Sequence, residues 1–289
     1  MNDNHIVLQK LISNTLQRLS PSFGEGEARA MIREILLRIK GWTPVDIAVK
    51  QGEMVSDYLE EEINKIVDRL LNGEPIQYIF GVAYFYGMDF KVNQSTLIPR
   101  PETSMLVDMI VKEYGDRQDL RVLDLGTGSG CIAIALARNL HFPEVSGVDI
   151  SGEAISVAKE NGKNLKVGVN FEREDMLTMS VEPDIYDIIV SNPPYIAERE
   201  KDEMSKNVLD YEPASALFVP DDDPLKFYKA IIRIAREGLT ANGRLFFEIN
   251  PLYAEELRSE LASAGFEDIE IVKYIDGKDR FIKAKKPEN

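Results

Sequence analysis

The sequence predicts an α/β protein with a mainly parallel, doubly wound sheet, preceded by a small helical domain. Three observations predict it. From about residue 119 onward, short apolar runs alternate with helix-length segments, and such alternation through right-handed crossovers gives a parallel sheet. A glycine-rich turn joins the first of those runs to the first of those helices. The N-terminal quarter instead repeats its apolar residues at helical spacing.

Taken in order, Leu8, Leu11, Ile12, Leu16 and Leu19 fall at i, i+3, i+4 intervals. Ala28, Met31, Ile32, Ile35, Leu36 and Ile39 repeat the pattern behind an expected capping pair, Ser22 and Glu25. A third helix follows Ser56, carries Leu59, Ile63, Ile66, Val67 and Leu70 on one face, and stops at Asn72-Gly73. These helices define an N-terminal domain over 1–75. Residues 76–95 read as a β-hairpin linker, because Tyr78, Phe80, Tyr84, Tyr86, Phe90 and Val92 surround Gly81 and Gly87. The main domain is expected over 96–289. Within it the strands are Arg121 to Leu125, Val145 to Ile150, Ile185 to Ser191, Arg244 to Ile249, Ile269 to Tyr274 and Arg280 to Ala284. The intervening helices are Gly130 to Arg138, Gly152 to Gly162, Leu225 to Gly238 and Leu252 to Ala264.

Composition limits what such a protein does. Among 289 residues, 44% are hydrophobic and 29% charged, which excludes disorder as the main state. Lys and Arg total 34 against 49 Asp and Glu, and the net charge of -15 is the reverse of a basic nucleic-acid footprint, so stable nucleic-acid binding is not expected. A single cysteine, Cys131, excludes an intrachain disulfide and a multi-cysteine zinc site, as suits a reducing cytoplasm. Met1-Asn2-Asp3-Asn4-His5 lacks the basic region of a secretory leader, and no apolar run approaches the roughly twenty residues of a membrane helix. The triplet Asp221-Asp222-Asp223 reads as a solvated loop rather than a metal cage, and no metal is expected.

Asp124-Leu125-Gly126-Thr127-Gly128-Ser129-Gly130 joins the first strand of the main domain to its first helix. Glycines let the backbone turn sharply and approach a ligand closely. A dinucleotide fingerprint would place its third glycine at 131, where Cys131 stands, so the spacing argues against a nicotinamide cofactor. Asp149, at the end of the next strand, supplies a carboxylate able to accept from both hydroxyls of a ribose. Adenosine without a pyrophosphate fits this pair.

At the end of a later strand, Asn192-Pro193-Pro194-Tyr195 forms a stiff polar turn, since proline fixes φ near -65° and donates no hydrogen bond. The Asn192 side-chain oxygen and the Pro193 carbonyl are candidate acceptors for both N–H bonds of an amine or amide. Tyr195 is a candidate apolar wall that excludes water. Methylation of an exocyclic base amine and of a protein glutamine both suit such a turn, and these four residues do not choose between them. A third reading, a cofactor-binding module without turnover, also stays open. Arg100 and Glu102 read either as a gate over the site or as a surface ion pair before the helix led by Thr103.

The strand, D-x-G-x-G-x-G turn, helix, strand and terminal Asp149 together resemble the class I S-adenosyl-L-methionine-dependent methyltransferases, whose sheet is Rossmann-like, over residues 119 to about 284. Gln77 to Gly81, Phe85 to Phe90, Leu97 to Thr103, Asn192 to Ile196, Tyr211-Glu212-Pro213 and Ala216-Leu217-Phe218 further resemble the HemK/PrmC protein-glutamine methyltransferases. Pro99-Arg100-Pro101-Glu102-Thr103 looks like the branch that modifies release factors rather than the ribosomal-protein branch. The resemblance implies N5-methylation of the Gly-Gly-Gln glutamine of class I peptide chain release factors, in the cytoplasm, by a monomer. It further implies that Gly126, Thr127, Gly128, Ser129, Gly130 and Asp149 hold S-adenosyl-L-methionine, bordered by Asp175, Met176 and Asn192. Asn192 to Tyr195, with Arg100 and Glu102, would then meet the substrate, and the helical domain would dock it. Met176 stands where an aromatic is expected, which exchanges adenine stacking for a sulfur contact. Val219 to Pro224 and Glu248-Ile249-Asn250 lack the glycines usual in relatives.

Overall fold

The computed structural model describes residues 6–288. The stretch Met1 to His5, expected to carry no leader, and Asn289 lie outside the described residues. The chain divides into two compact units, one reaching Phe80 and including Lys206–Tyr211, the other made of Gly81–Ser205 and Glu212 onward.

The first unit is helical: α1 (Leu8–Phe23), α2 (Glu25–Lys40), α3 (Pro44–Val49), α4 (Asp57–Leu71) and α5 (Ile76–Phe80), with α9 (Lys206–Tyr211) contributed from later in the chain. The periodic residues of α1, α2 and α4 form one core, in which Leu8, Leu19 and Val67 are fully buried. Ser56 caps α4 by accepting from the Leu59 N–H at 3.3 Å. The expected cap of α2 by Ser22 and Glu25 does not form. Ser22 lies in the last turn of α1, and Gly24 at φ 78° separates the two helices with no side-chain cap. The hairpin expected over 76–95 is shorter at its start. Ile76, Ile79 and Phe80 fall at helical spacing and pack on the helical core, so α5 forms where alternating Tyr78 and Phe80 mimic a strand.

The second unit opens with the hairpin of β1 (Val82–Phe85) and β2 (Met88–Lys91). Its two-residue loop, Tyr86 at φ 47° and Gly87 at φ 78°, has the pair of positive φ angles that matches strand twist. There follow α6 (Thr103–Tyr114), β3 (Arg121–Leu125), α7 (Cys131–Asn139), β4 (Glu144–Asp149), α8 (Gly152–Leu165), β5 (Asn170–Arg173), β6 (Tyr186–Ser191), β7 (Ile196–Ala197), β8 (Phe218–Val219), α10 (Lys226–Gly238), β9 (Leu239–Glu248), α11 (Ala254–Ser263), β10 (Glu267–Lys273) and β11 (Asp279–Lys285).

Seven strands form one sheet in the order β10-β11-β9-β6-β3-β4-β5. All are parallel except β11, which runs antiparallel to both neighbours. Strand side chains alternate between two apolar layers. Val122, Ile188, Val190, Phe246 and Phe281 face α6, α7 and α8; Leu123, Leu125, Ile189, Leu245, Phe247 and Ile282 face α10 and α11. Three strands of this unit escape sequence patterning: β5 has a single buried residue, Phe171, and β7 and β8, which pair with each other, are only two residues long each. From β3 the chain passes to β4 and β5 on one side and to β6 and β9 on the other, which opens a crevice at the carboxyl end of β3. Among the described residues no helix is long and apolar enough to cross a membrane.

Candidate active site

Strand register brings the site together. Leu125, the last residue of β3, pairs with Val148 of β4 and with Ser191 of β6, so the glycine turn, Asp149 and Asn192 leave the sheet at one edge. The Ser191 hydroxyl donates to the Leu125 carbonyl at 2.6 Å in the core, tying the base of the Asn-Pro-Pro-Tyr turn to the base of the glycine turn. Between them opens a cavity of about 270 Å³.

Gly126, Thr127, Gly128 and Ser129 line the cavity from β3, Asp149 from β4, Asp175 and Met176 from the segment after β5, and Asn192 and Pro194 from the segment after β6. Gly126 at φ 75° and Gly128 at φ 54° expose the backbone to the cavity, and a Cβ at Gly126 would come within 3.3 Å of Met176 Cε. Asp149 Oδ2 accepts from the Gly128 N–H and Oδ1 from the Ser151 N–H, each at 2.9 Å. This carboxylate thus braces both turns while it lines the cavity. Burial raises its pKa, and the Ser151 and Gly128 N–H groups oppose that rise. A Gly-turn beside a braced carboxylate, with an apolar far wall of Met176, Leu177, Ile150 and Phe227, is a donor and acceptor set that fits an adenosine ribose and base.

Gly130 is not on the cavity wall. At φ 80°, a Cβ there would stand 2.9 Å from Phe171 Cζ and 3.1 Å from Ala158 Cβ, so its role is to let α7 start against α8 and β5. Replacement by alanine combines left-handed backbone strain with overpacking, and is expected to cost about 2–5 kcal/mol of folding stability in a denaturant titration. Gly147 plays a similar part that periodicity gave no hint of: its Cβ would meet Thr127 Oγ1 and Phe171 at 2.8 Å.

The Asn-Pro-Pro-Tyr turn divides its duties. Asn192 and Pro194 reach the cavity, whereas Pro193 is buried and Tyr195 turns inward, its hydroxyl donating to Glu248 Oε1 at 3.0 Å. Tyr195 therefore anchors the turn instead of walling the cavity. Arg100 lines the cavity but pairs with Glu212 Oε1 at 2.5 Å, not with Glu102, and Glu212 also accepts from the Ile98 N–H at 3.2 Å. Glu102 precedes α6 and does not line the cavity, so the expected surface ion pair between Arg100 and Glu102 does not form, while Arg100 stands at the cavity as a gate would. Glu212, with a side chain only 1% exposed, is 112 residues from Arg100 in sequence, beyond the reach of local patterning.

Asp124, fully buried beneath the glycine turn, accepts from the Thr127 hydroxyl at 2.7 Å, which holds the turn over its strand. Burial pushes its carboxyl up to about 7 from the ordinary 3.8, with the Asp149 charge a lesser contributor in the same direction. The folded state therefore holds this proton more tightly than the unfolded chain. The group's contribution to stability is greatest below the ordinary carboxylate range and is lost as pH rises towards 7. Asp124→Asn is expected to remove that slope, so the difference between wild-type and variant unfolding free energies should fall by about 4 kcal/mol as pH rises from 4 to 8.

Residues 116–263 match the family model described as a methyltransferase domain, and residues 10–81 match the PrmC N-terminal domain. A protein of Bacteroides thetaiotaomicron named release factor glutamine methyltransferase is 43% identical over 96% of this chain and 99% of its own length. One of the same name from Flavobacterium psychrophilum is 40% identical over 93% of this chain and 95% of its own. Among solved structures, a methyltransferase from Pyrococcus furiosus superposes with a TM-score of 0.52 over 76% of this chain and 98% of that one, at 16% identity, a likeness of fold.

Proposed function

The chain belongs to the release factor glutamine methyltransferase family, and from that premise we propose that it methylates the side-chain amide nitrogen of the Gly-Gly-Gln glutamine in class I peptide chain release factors, with S-adenosyl-L-methionine as donor. When bound, S-adenosyl-L-methionine supplies a methyl group on a positively charged sulfur, an electrophile that needs no metal. Gly126 to Ser129 and Asp149 would hold its nucleoside part, and Asp175 and Met176 would border the base. The observation that carries the reading is the shared sheet edge at which Asp149, at the end of β4, and Asn192, after β6, flank β3 and its glycine turn.

An amide nitrogen is a weak nucleophile because its lone pair is delocalised into the carbonyl. Accepting its two N–H bonds at the Asn192 side-chain oxygen and the Pro193 carbonyl favours a pyramidal nitrogen and aims its lone pair. Orientation and fixed dipoles then supply the acceleration; the carbon–nitrogen bond that forms would replace the methyl–sulfur bond, and the surplus proton of the nitrogen, acidic only at that stage, would pass to water. Pro194 stiffens the turn so that these acceptors need no reorganisation. The helical unit gives a folded protein substrate a surface larger than one side chain, which supports its role in docking. The net charge of -15 supports a protein substrate over a nucleic acid, and the single, buried Cys131 accords with action in the reducing cytoplasm, where the proposed enzyme works as a monomer.

Incubation with radiolabelled methyl donor and a purified release factor, a ribosomal protein fraction or nucleic acid, followed by mass spectrometry, tests the reading. One added methyl on the Gly-Gly-Gln peptide is expected. Label in the ribosomal or nucleic-acid arm alone, or cofactor binding with no transfer in any arm, refutes it.

A further inference from the structure

Asn192 carries a carboxamide whose two ends are nearly equal in size and opposite in polarity. Only one orientation leaves an oxygen facing the cavity. The Asn192 Nδ2 donates to Thr103 Oγ1 at 3.3 Å, and the Thr103 hydroxyl donates to Glu248 Oε2 at 2.7 Å. The other oxygen of Glu248 takes the Tyr195 hydroxyl. Thr103 comes from the start of α6, Glu248 from the end of β9, and the two are 145 residues apart. Glu248 is 2% exposed and Thr103 equally buried, and the Arg280 guanidinium faces the Tyr195 and Glu248 pair from β11.

From this chain of donors and acceptors we infer that Thr103 and Glu248 are positioning residues that fix the polarity of the Asn192 carboxamide, a reading that rests on the proposed function. An ionised carboxylate only accepts hydrogen bonds. It draws the Thr103 proton to itself, which leaves lone pairs on Thr103 Oγ1 facing Asn192. Those lone pairs accept the Asn192 amide and repel its carbonyl oxygen, so Nδ2 points to α6 and Oδ1 points to the substrate. The reverse orientation would require the Thr103 proton to leave a buried carboxylate, which is costly in a dry site. The same carboxylate holds Tyr195, so one side chain of β9 anchors both ends of the Asn-Pro-Pro-Tyr turn.

Burial raises the Glu248 pKa, while the Thr103 and Tyr195 hydroxyls and Arg280 oppose that rise by favouring the ionised form the mechanism uses. Glutamine at 248 has the same shape but breaks the logic. If its amide nitrogen faces Thr103, the threonine proton turns to Asn192 and inverts the carboxamide. If it faces Tyr195, the tyrosine hydroxyl meets a donor in place of its acceptor.

The test measures steady-state methylation of a release factor by wild type, T103V, T103S and E248Q, with cofactor affinity by calorimetry and folding by thermal denaturation. T103V is expected to lose about 10–100-fold in kcat, as for a misoriented reactant, with a smaller change in KM. T103S, which keeps the hydroxyl, is expected to stay within about threefold of wild type. E248Q is expected to fall with T103V, and it carries the same test should T103V fail to fold. Wild-type kcat in T103V or E248Q, or T103S as impaired as T103V, overturns the inference alone. A wild type inactive on release factors overturns the proposed function and the inference together.

Discussion

Asn192→Ala is expected to reduce kcat for release-factor methylation by about 10²–10³-fold, the loss found when one preorganised polar group is removed from a reacting centre. The reason lies in what the side chain reaches. Asn192 lines the cavity, and its Nδ2 is already committed to Thr103, so the oxygen is the end left for substrate. Removing it leaves the amide nitrogen planar and free to rotate, while the glycine turn and Asp149 are untouched. Cofactor affinity should therefore change little. Single-turnover methylation at saturating cofactor, read beside a calorimetric titration, separates the two effects. A variant that turns over at the wild-type rate would show that the carboxamide does not hold the reacting group.

Asp149→Ala should produce the opposite split, with cofactor affinity falling by about 100-fold or more and the chemical step less affected once the site is filled. Two contributions add. A charged acceptor facing two ribose hydroxyls contributes about 1.5–3 kcal/mol for each hydrogen bond to the charged group. The same carboxylate also accepts from the N–H groups of Gly128 and Ser151 at 2.9 Å, so its removal loosens the two turns that it braces. Asp149→Asn keeps one acceptor and one position in the brace, and should fall between alanine and wild type. Calorimetric titration with S-adenosyl-L-methionine gives the ranking directly, and equal affinity for all three would remove Asp149 from the cofactor's surroundings.

The contrast between these residues and those that support them shows where sequence reading works. Asp149 and the glycine turn are legible because their meaning is local: a carboxylate at a strand end and glycines at a strand-to-helix turn declare themselves within a few residues. The Asn-Pro-Pro-Tyr turn is legible for the same reason, through the fixed φ of two adjacent prolines. The core faces of α1, α2 and α4 are legible because burial on one side of a helix imposes a period. Strand β5 is not, since a single buried Phe171 has no period to show. Nor is α5, whose five residues fit two spacings equally well until a core is present to choose between them.

By itself the sequence determined the class of fold, the glycine-rich strand-to-helix turn, the carboxylate of Asp149 beside it and the rigid Asn-Pro-Pro-Tyr turn, because each follows from steric or hydrogen-bonding preferences of neighbouring residues. Only the tertiary structure decided that Arg100 answers to Glu212 and not to Glu102, that Gly130 serves packing, and that Tyr195 and Asn192 are tied to the same buried carboxylate on β9. The hydrogen bonds among them join residues 53 to 145 positions apart. A pattern within one segment does not encode them, since a buried charge takes its partner from whatever the folded sheet and its helices bring within hydrogen-bonding distance.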